Sequence, residues 1–130
     1  MIRIVTIIAI LTALPACAEY ERPSYNLVVK EDGLEIRDYA SAIVVETQVS
    51  ASRRDAAGEA FRSLFNYISG NNTSNLEIPM TAPVAQTPAG KGQDGVSGKW
   101  AIRFFLPSNY SVENIPQPLQ QGINIVTLEA

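Results

Sequence analysis

The sequence predicts an α+β domain in which a sheet is covered by one amphipathic helix. Three observations carry this. Trp100, Ile102, Phe104 and Leu106 alternate with Ala101, Arg103 and Phe105, the two-residue period of a strand. Ala57, Ala60, Phe61, Leu64, Phe65 and Ile68 recur at spacings of three and four, the period of a helix with one apolar face. Asp32-Gly33 separates two further alternating segments and marks a hairpin, because glycine takes positive φ at little cost.

Taken in chain order, residues 1–18 read MIRIVTIIAILTALPACA. Arg3 supplies a positive start, and Ile4 to Leu14 is apolar apart from two threonines. The run is too short to span a bilayer and suits the hydrophobic region of a signal peptide. Ala16-Cys17-Ala18 fits the small-residue cleavage rule. This predicts a periplasmic or secreted protein beginning at Glu19. Leu14-Pro15-Ala16-Cys17 also admits a degenerate lipobox, which would anchor a lipoprotein through Cys17.

Glu19 to Ser24 reads as a flexible lead-in. Tyr25, Leu27 and Val29 form one strand, and Leu34 and Ile36 the returning one. Ile43 to Val49, rich in β-branched residues, makes a third. Ser52 caps the helix, with Asp55 at its third position, and Gly70 ends it. Leu76 to Gln86 contains Pro79 and Pro83 and reads as an edge or irregular strand. Pro88 to Lys99 holds four glycines and reads as a loop. Pro107 stops the Trp100–Leu106 strand. Pro116 and Pro118 mark an extended connector, and Ile123 to Leu128 forms the last strand. The order is β-β-β-α-β-β-β, a mixed sheet with a single helix.

Composition narrows the chemistry. The 130 residues suit one domain. Hydrophobic residues make up 46%, so the chain is not a charged, disordered one. A net charge of −3 argues against broad electrostatic binding to nucleic acid or anionic membrane. The absence of histidine removes Ser-His-Asp and Cys-His catalysis and any histidine-ligated zinc or haem iron. A single cysteine excludes an internal disulfide, a CxxC motif and an iron–sulfur cluster. No hydrolase or oxidoreductase motif is present, so the expectation is a non-enzyme without catalytic residues or a metal site.

Three segments together resemble the SOUL haem-binding family. The first is YNLVVKEDGLEIRDYASAIVVET, Tyr25 to Thr47. The second is the helix end AFRSLFNYISGNN, Ala60 to Asn72, similar to A-F-x-x-L-x-x-Y-I-x-G-x-N. The third is Ile78-Pro79-Met80-Thr81-Ala82-Pro83-Val84, close to I-x-M-T-x-P-V. Phe104-Phe105-Leu106-Pro107 and Pro116-Gln117-Pro118 also fit the family's strand-then-P-x-P pattern. The resemblance implies a distorted β-barrel of two βαβ-type halves, each with a helix, and an apolar groove that holds haem or another tetrapyrrole non-covalently. Residues 25–130 then form a partial SOUL domain, because family domains continue past the last strand seen here. The missing half leaves open sheet edges, which invite a protein partner.

Haem is flat, largely apolar and carries two propionates, so a site needs an apolar slot and a cationic rim. Phe61 and Phe65, one helical turn apart, can wall the slot, although packing onto the sheet is the commoner role of such residues. Arg62 can reach a propionate. Met80, the only methionine after residue 18, is a candidate soft axial ligand or a core filler. Tyr25, Tyr39 and Tyr67 are candidate phenolate ligands or core-edge residues. With no histidine, haem binding rests on stacking, propionate contacts, or Met or Tyr ligation. Glu35 and Arg37 read as a solvent-facing ion pair; with Asp38 they form the densest charged cluster on a strand. The alternative function is an interaction or structural domain of the same fold that binds no haem.

Overall fold

A computed structural model describes residues 19–89 and 98–130. Residues 1–18, expected to be a signal peptide and including Cys17, and the centre of the glycine-rich loop lie outside the described residues. The elements are β1 (Tyr25–Glu31), β2 (Leu34–Tyr39), β3 (Ala42–Ala51), α1 (Arg53–Ile68), β4 (Val84–Pro88), β5 (Gly98–Phe105) and β6 (Ile123–Leu128). The expected α+β class and element order hold. The strands form two sheets, the β1-β2 hairpin and a four-stranded sheet in the order β4-β5-β3-β6. Every pairing between these strands is antiparallel. The described residues close no barrel, so the barrel expectation is corrected to an open sheet with a separate hairpin.

Helix α1 forms where the sequence places it. The Ser52 hydroxyl accepts the Asp55 amide hydrogen at 3.2 Å and donates to Asp55 Oδ2 at 2.7 Å. Gly70, at φ +112°, takes the left-handed turn after the helix that a side chain would strain. Ala56, Ala60, Leu64, Tyr67 and Ile68 form the buried face. They pack with Val45, Ile102, Phe104, Leu106 and Ile123 of the sheet side. Register aligns these residues, with Val45 opposite both Phe104 and Ile125, and Thr47 opposite both Ile102 and Ile123. The opposite face of the sheet carries an ion pair between neighbours in register, Glu46 and Arg103, with Arg103 Nε 2.6 Å from Glu46 Oε2.

The family-like motifs are largely devices that join the helix end to the rest of the chain. Tyr67 donates its hydroxyl to Pro116 O at 2.7 Å. The Thr73 amide donates to Gln117 O at 2.9 Å, and the Gln117 amide donates to Thr73 Oγ1 at 3.0 Å. Asn72 is fully buried. Its Nδ2 donates to Tyr67 O and Leu76 O, while its Oδ1 accepts the Ser74 and Leu76 amides. One side chain thus satisfies four backbone groups that the helix end and its loop would otherwise leave unpaired. The Ile78 amide donates to Ile68 O at 2.7 Å.

Four local expectations change. The strand expected over Leu76 to Gln86 begins only at Val84; the preceding residues follow an irregular path shaped by Pro79 and Pro83. The loop expected over Pro88 to Lys99 is shorter, because β4 runs through Pro88 and β5 starts at Gly98. The lead-in is held in place: the Ala82 amide donates to Glu21 O at 2.9 Å, and the Ala40 amide to Ser24 O at 3.1 Å. Finally, Val29 does not share a face with Leu27. Leu27 pairs with Arg37 but Val29 pairs with Ile36, across a bulge that shifts the alternation by one residue.

Candidate functional site

The helix presents an aromatic pair to solvent. Phe61 and Phe65 are 41% and 47% exposed. Their rings are near parallel, 11° apart in plane, with centroids 5.9 Å apart. Phe61 also meets the buried Phe104 ring edge-on at 5.2 Å. The apolar stripe of α1 is wider than the sheet it covers: Ala56, Ala60 and Leu64 lie inside, and the two phenylalanines fall at its margin. Phe61 thus packs in part onto the sheet through Phe104, and both rings keep exposed surface. Arg62, on the same helix, is exposed and takes part in no ion pair among the described residues.

The other sequence candidates lie in different surroundings. Met80 is half-buried against the core. Tyr67 is fully buried with its hydroxyl given to Pro116 O. Burial first, then Tyr110, pushes its pKa up from 10.0 to about 12. A phenol so placed and hydrogen-bonded is not a phenolate ligand, and that candidate role is corrected. Tyr25 and Tyr39 pair across the hairpin with centroids 5.3 Å apart. The Arg37 guanidinium carbon lies 4.4 Å from the Tyr25 centroid, a cation–π contact.

Glu35 and Arg37 form the expected exposed pair, with Arg37 Nε 2.9 Å from Glu35 Oε2. Lys30 Nζ lies 3.2 Å from the other carboxylate oxygen. Arg37 first, then Lys30, holds the Glu35 carboxyl below its usual range.

A separate cleft of about 490 Å³ lies where the lead-in crosses the ends of β3 and β5. Its lining includes the apolar Ile43, Phe105 and Leu106 and the polar Glu21, Arg22 and Tyr110. None of Phe61, Arg62, Phe65 or Met80 lines it. Sequence reading missed it because the lead-in looked unstructured. Among the described residues no cluster of three potential metal ligands is present, and no helix is long and apolar enough to cross a membrane.

A family model described as SOUL heme-binding protein matches residues 20–130. Heme-binding protein 2 from Homo sapiens is 34% identical over 93 residues, covering 70% of this chain. The matched stretch covers 44% of that human protein, less than half of its length.

Proposed function

The chain belongs to the SOUL heme-binding protein family, and from that premise we propose that it binds haem or another tetrapyrrole reversibly, without chemistry on the ligand. The observation that carries this reading is the exposed Phe61–Phe65 pair. Two large apolar rings cost free energy in water and are recovered by a flat apolar ligand. Their near-parallel planes suit a macrocycle laid against them, and Arg62 offers a charge-assisted bond to a propionate. No histidine exists to ligate iron, so affinity rests on stacking and on the propionate contact. Met80 is the remaining candidate ligand and would have to turn out from the core.

Hemin titration followed by Soret absorbance tests the site. A saturable change is expected, weakened at least tenfold in Phe61→Ala/Phe65→Ala and several-fold in Arg62→Gln. The same affinity in the wild-type chain and the double variant would discard this site. The proposal extends to location: residues 1–18 act as a signal and deliver the protein to the periplasm or outside the cell. Mass spectrometry of the exported protein should give a start at Glu19; a lipidated Cys17 would instead give the anchored form.

A second reading is carried by the β1–β2 hairpin. Leu27, Val28, Leu34 and Ile36 are each at least 50% exposed, and β4 and β6 are open edges of the larger sheet. Exposed apolar side chains on the hairpin, together with the open edges of the larger sheet, suit a domain that engages a protein partner. Molar mass that rises with concentration in light scattering supports this reading, and a strictly monomeric chain removes the self-association form of it.

A further inference from the structure

The two faces of the β1–β2 hairpin differ in charge. Cross-strand partners share a face and residues two apart on a strand share it too. One face is zipped shut on itself: Tyr25 meets Tyr39, Arg37 covers Tyr25, and Glu35 binds both Arg37 and Lys30. Both cations of the hairpin are spent there. The other face carries the pairs Glu31–Leu34, Val29–Ile36 and Asn26–Asp38, all exposed. It is an aliphatic row with Glu31 at the turn end and Asp38 at the open end. Neither carboxylate has an ion-pair partner among the described residues.

Helix α1 carries the complement. Arg54, Gly58, Phe61 and Phe65 recur at spacings of four, three and four, so they form one stripe, and Arg62 flanks it; all five are exposed. Neither arginine forms an ion pair among the described residues. Of the acids of α1, Asp55 is bound to the Ser52 cap, and Glu59 falls beyond Arg62 around the helix. The phenyl centroids are 5.9 Å apart. Leu34 and Ile36, two residues apart on a strand, are spaced by about 6.6 Å, so each can seat on one ring.

We infer that the hairpin of one chain docks, through Val29, Leu34 and Ile36, on the α1 stripe of a second copy, with Glu31 and Asp38 meeting Arg54 and Arg62. Both surfaces are exposed within one chain, so they do not cover each other there. Hairpin on hairpin would set acid against acid, and helix on helix would set arginine against arginine. Hairpin on helix alone neutralises both rims. The contact is heterologous, head to tail. It rests on reading the hairpin as a partner surface and names the partner. Haem on the phenyl pair and a second copy on it exclude one another.

Light scattering of the hemin-free chain tests this with two charge-reversed variants, Glu31→Lys/Asp38→Lys on the hairpin and Arg54→Glu/Arg62→Glu on the helix. The wild-type molar mass should rise with concentration. Each variant alone opposes like charges and should associate at least about tenfold more weakly. Mixed in equal amounts, the two should recover association, because the basic hairpin of one meets the acidic helix of the other. A helix variant that associates like the wild type overturns the inference and leaves the hairpin as a partner surface of another kind. A hairpin variant that associates like the wild type overturns both. Variants that stay weak when mixed overturn the inference. So does a wild-type chain that stays monomeric, which leaves the hairpin to a different protein. The four residues are exposed and unpaired, so the thermal midpoints should hold. If a reversed variant melts early, Asp38→Asn and Arg62→Gln take its place: each should weaken association several-fold, and no change in either overturns the inference.

Discussion

A glutamate and an arginine pair both in the four-stranded sheet and in the hairpin. In the sheet, Glu46 and Arg103 are cross-strand neighbours, with side chains 8% and 24% exposed. In the hairpin, Glu35 and Arg37 sit two residues apart on one strand, at 25% and 40%. The geometry is similar and the surroundings are not. Removing water from a charge costs several kcal/mol, so the inner pair is bound to stay intact once formed. The outer pair is solvated with or without its partner. The same contrast separates the two regions as wholes: β3 and β5 bury residues on both faces, whereas every residue of β1 is exposed.

The largest expected effect comes from breaking the inner pair. Arg103→Met keeps the apolar stem but strands the Glu46 carboxylate. The expected loss is about 3 kcal/mol, the lower end for buried pairs because Arg103 retains some solvent. Adding Glu46→Leu should recover most of it, since the remaining charge is then gone. Arg37→Ala should leave the thermal midpoint unchanged within error. A loss in Arg37→Ala equal to that in Arg103→Met would erase the distinction between the two regions.

Leucines give the second test. Leu64, fully buried on α1, should cost about 2–5 kcal/mol when changed to Ala. Leu34, 66% exposed, should stay within about 0.5 kcal/mol. Denaturant midpoints of the two variants check this directly.

Much of the fold could be read from the residues because local chemistry determines it. Ser52, Asp55 and Gly70 bound the helix by capping and positive φ, and Asp32-Gly33 turn the hairpin with φ of 44° and 83°. Alternation located β1, β2 and β5, and β-branched composition located β3. What alternation cannot state is whether a face is covered, since that depends on residues far away in sequence. Tyr25, Leu27 and Val29 therefore looked like a half-buried strand and proved exposed, with a bulge splitting them between faces. The Glu46–Arg103 pair did leave a signal: Glu46 is the lone charge of β3, and Arg103 is the one charge among the apolar residues Trp100 to Phe105 of β5. Phe61 and Phe65 were found as candidates, but their exposure depends on how far around α1 the sheet reaches. The cleft was invisible because it is made by Glu21 and Ser108, 87 residues apart.

Tyr67 joins the helix end to the proline-containing connector and should contribute less than either core test. Tyr67→Phe removes one buried hydrogen bond and leaves Pro116 O unpaired, an expected cost of about 1 kcal/mol. Its pH signature is specific. The folded pKa, about 12, lies above the unfolded value near 10. Below pH 10 both states hold the proton, and the stabilisation is fully present. Between pH 10 and 12 only the unfolded state loses it, so stability falls as pH rises. Tyr67→Phe should lack this part of the alkaline decline in denaturant titrations. A decline of the same steepness in both proteins would assign it to other groups.

The smallest stability effect belongs to Ile36→Thr, and it separates bare exposure from use. Ile36 is 52% exposed on the hairpin, and threonine keeps strand preference while removing apolar surface. Folding stability should move by less than about 0.5 kcal/mol. If the hairpin is the partner surface, the same change should lower the concentration-dependent rise in molar mass, because association there depends on apolar area removed from water. The two measurements then diverge: the denaturant midpoint stays in place while the scattering curve flattens. In a hairpin that is merely exposed, neither moves. A large fall in stability would mean instead that the hairpin is covered in solution by contacts within the chain, and the contrast between the two regions would fail at its outer member.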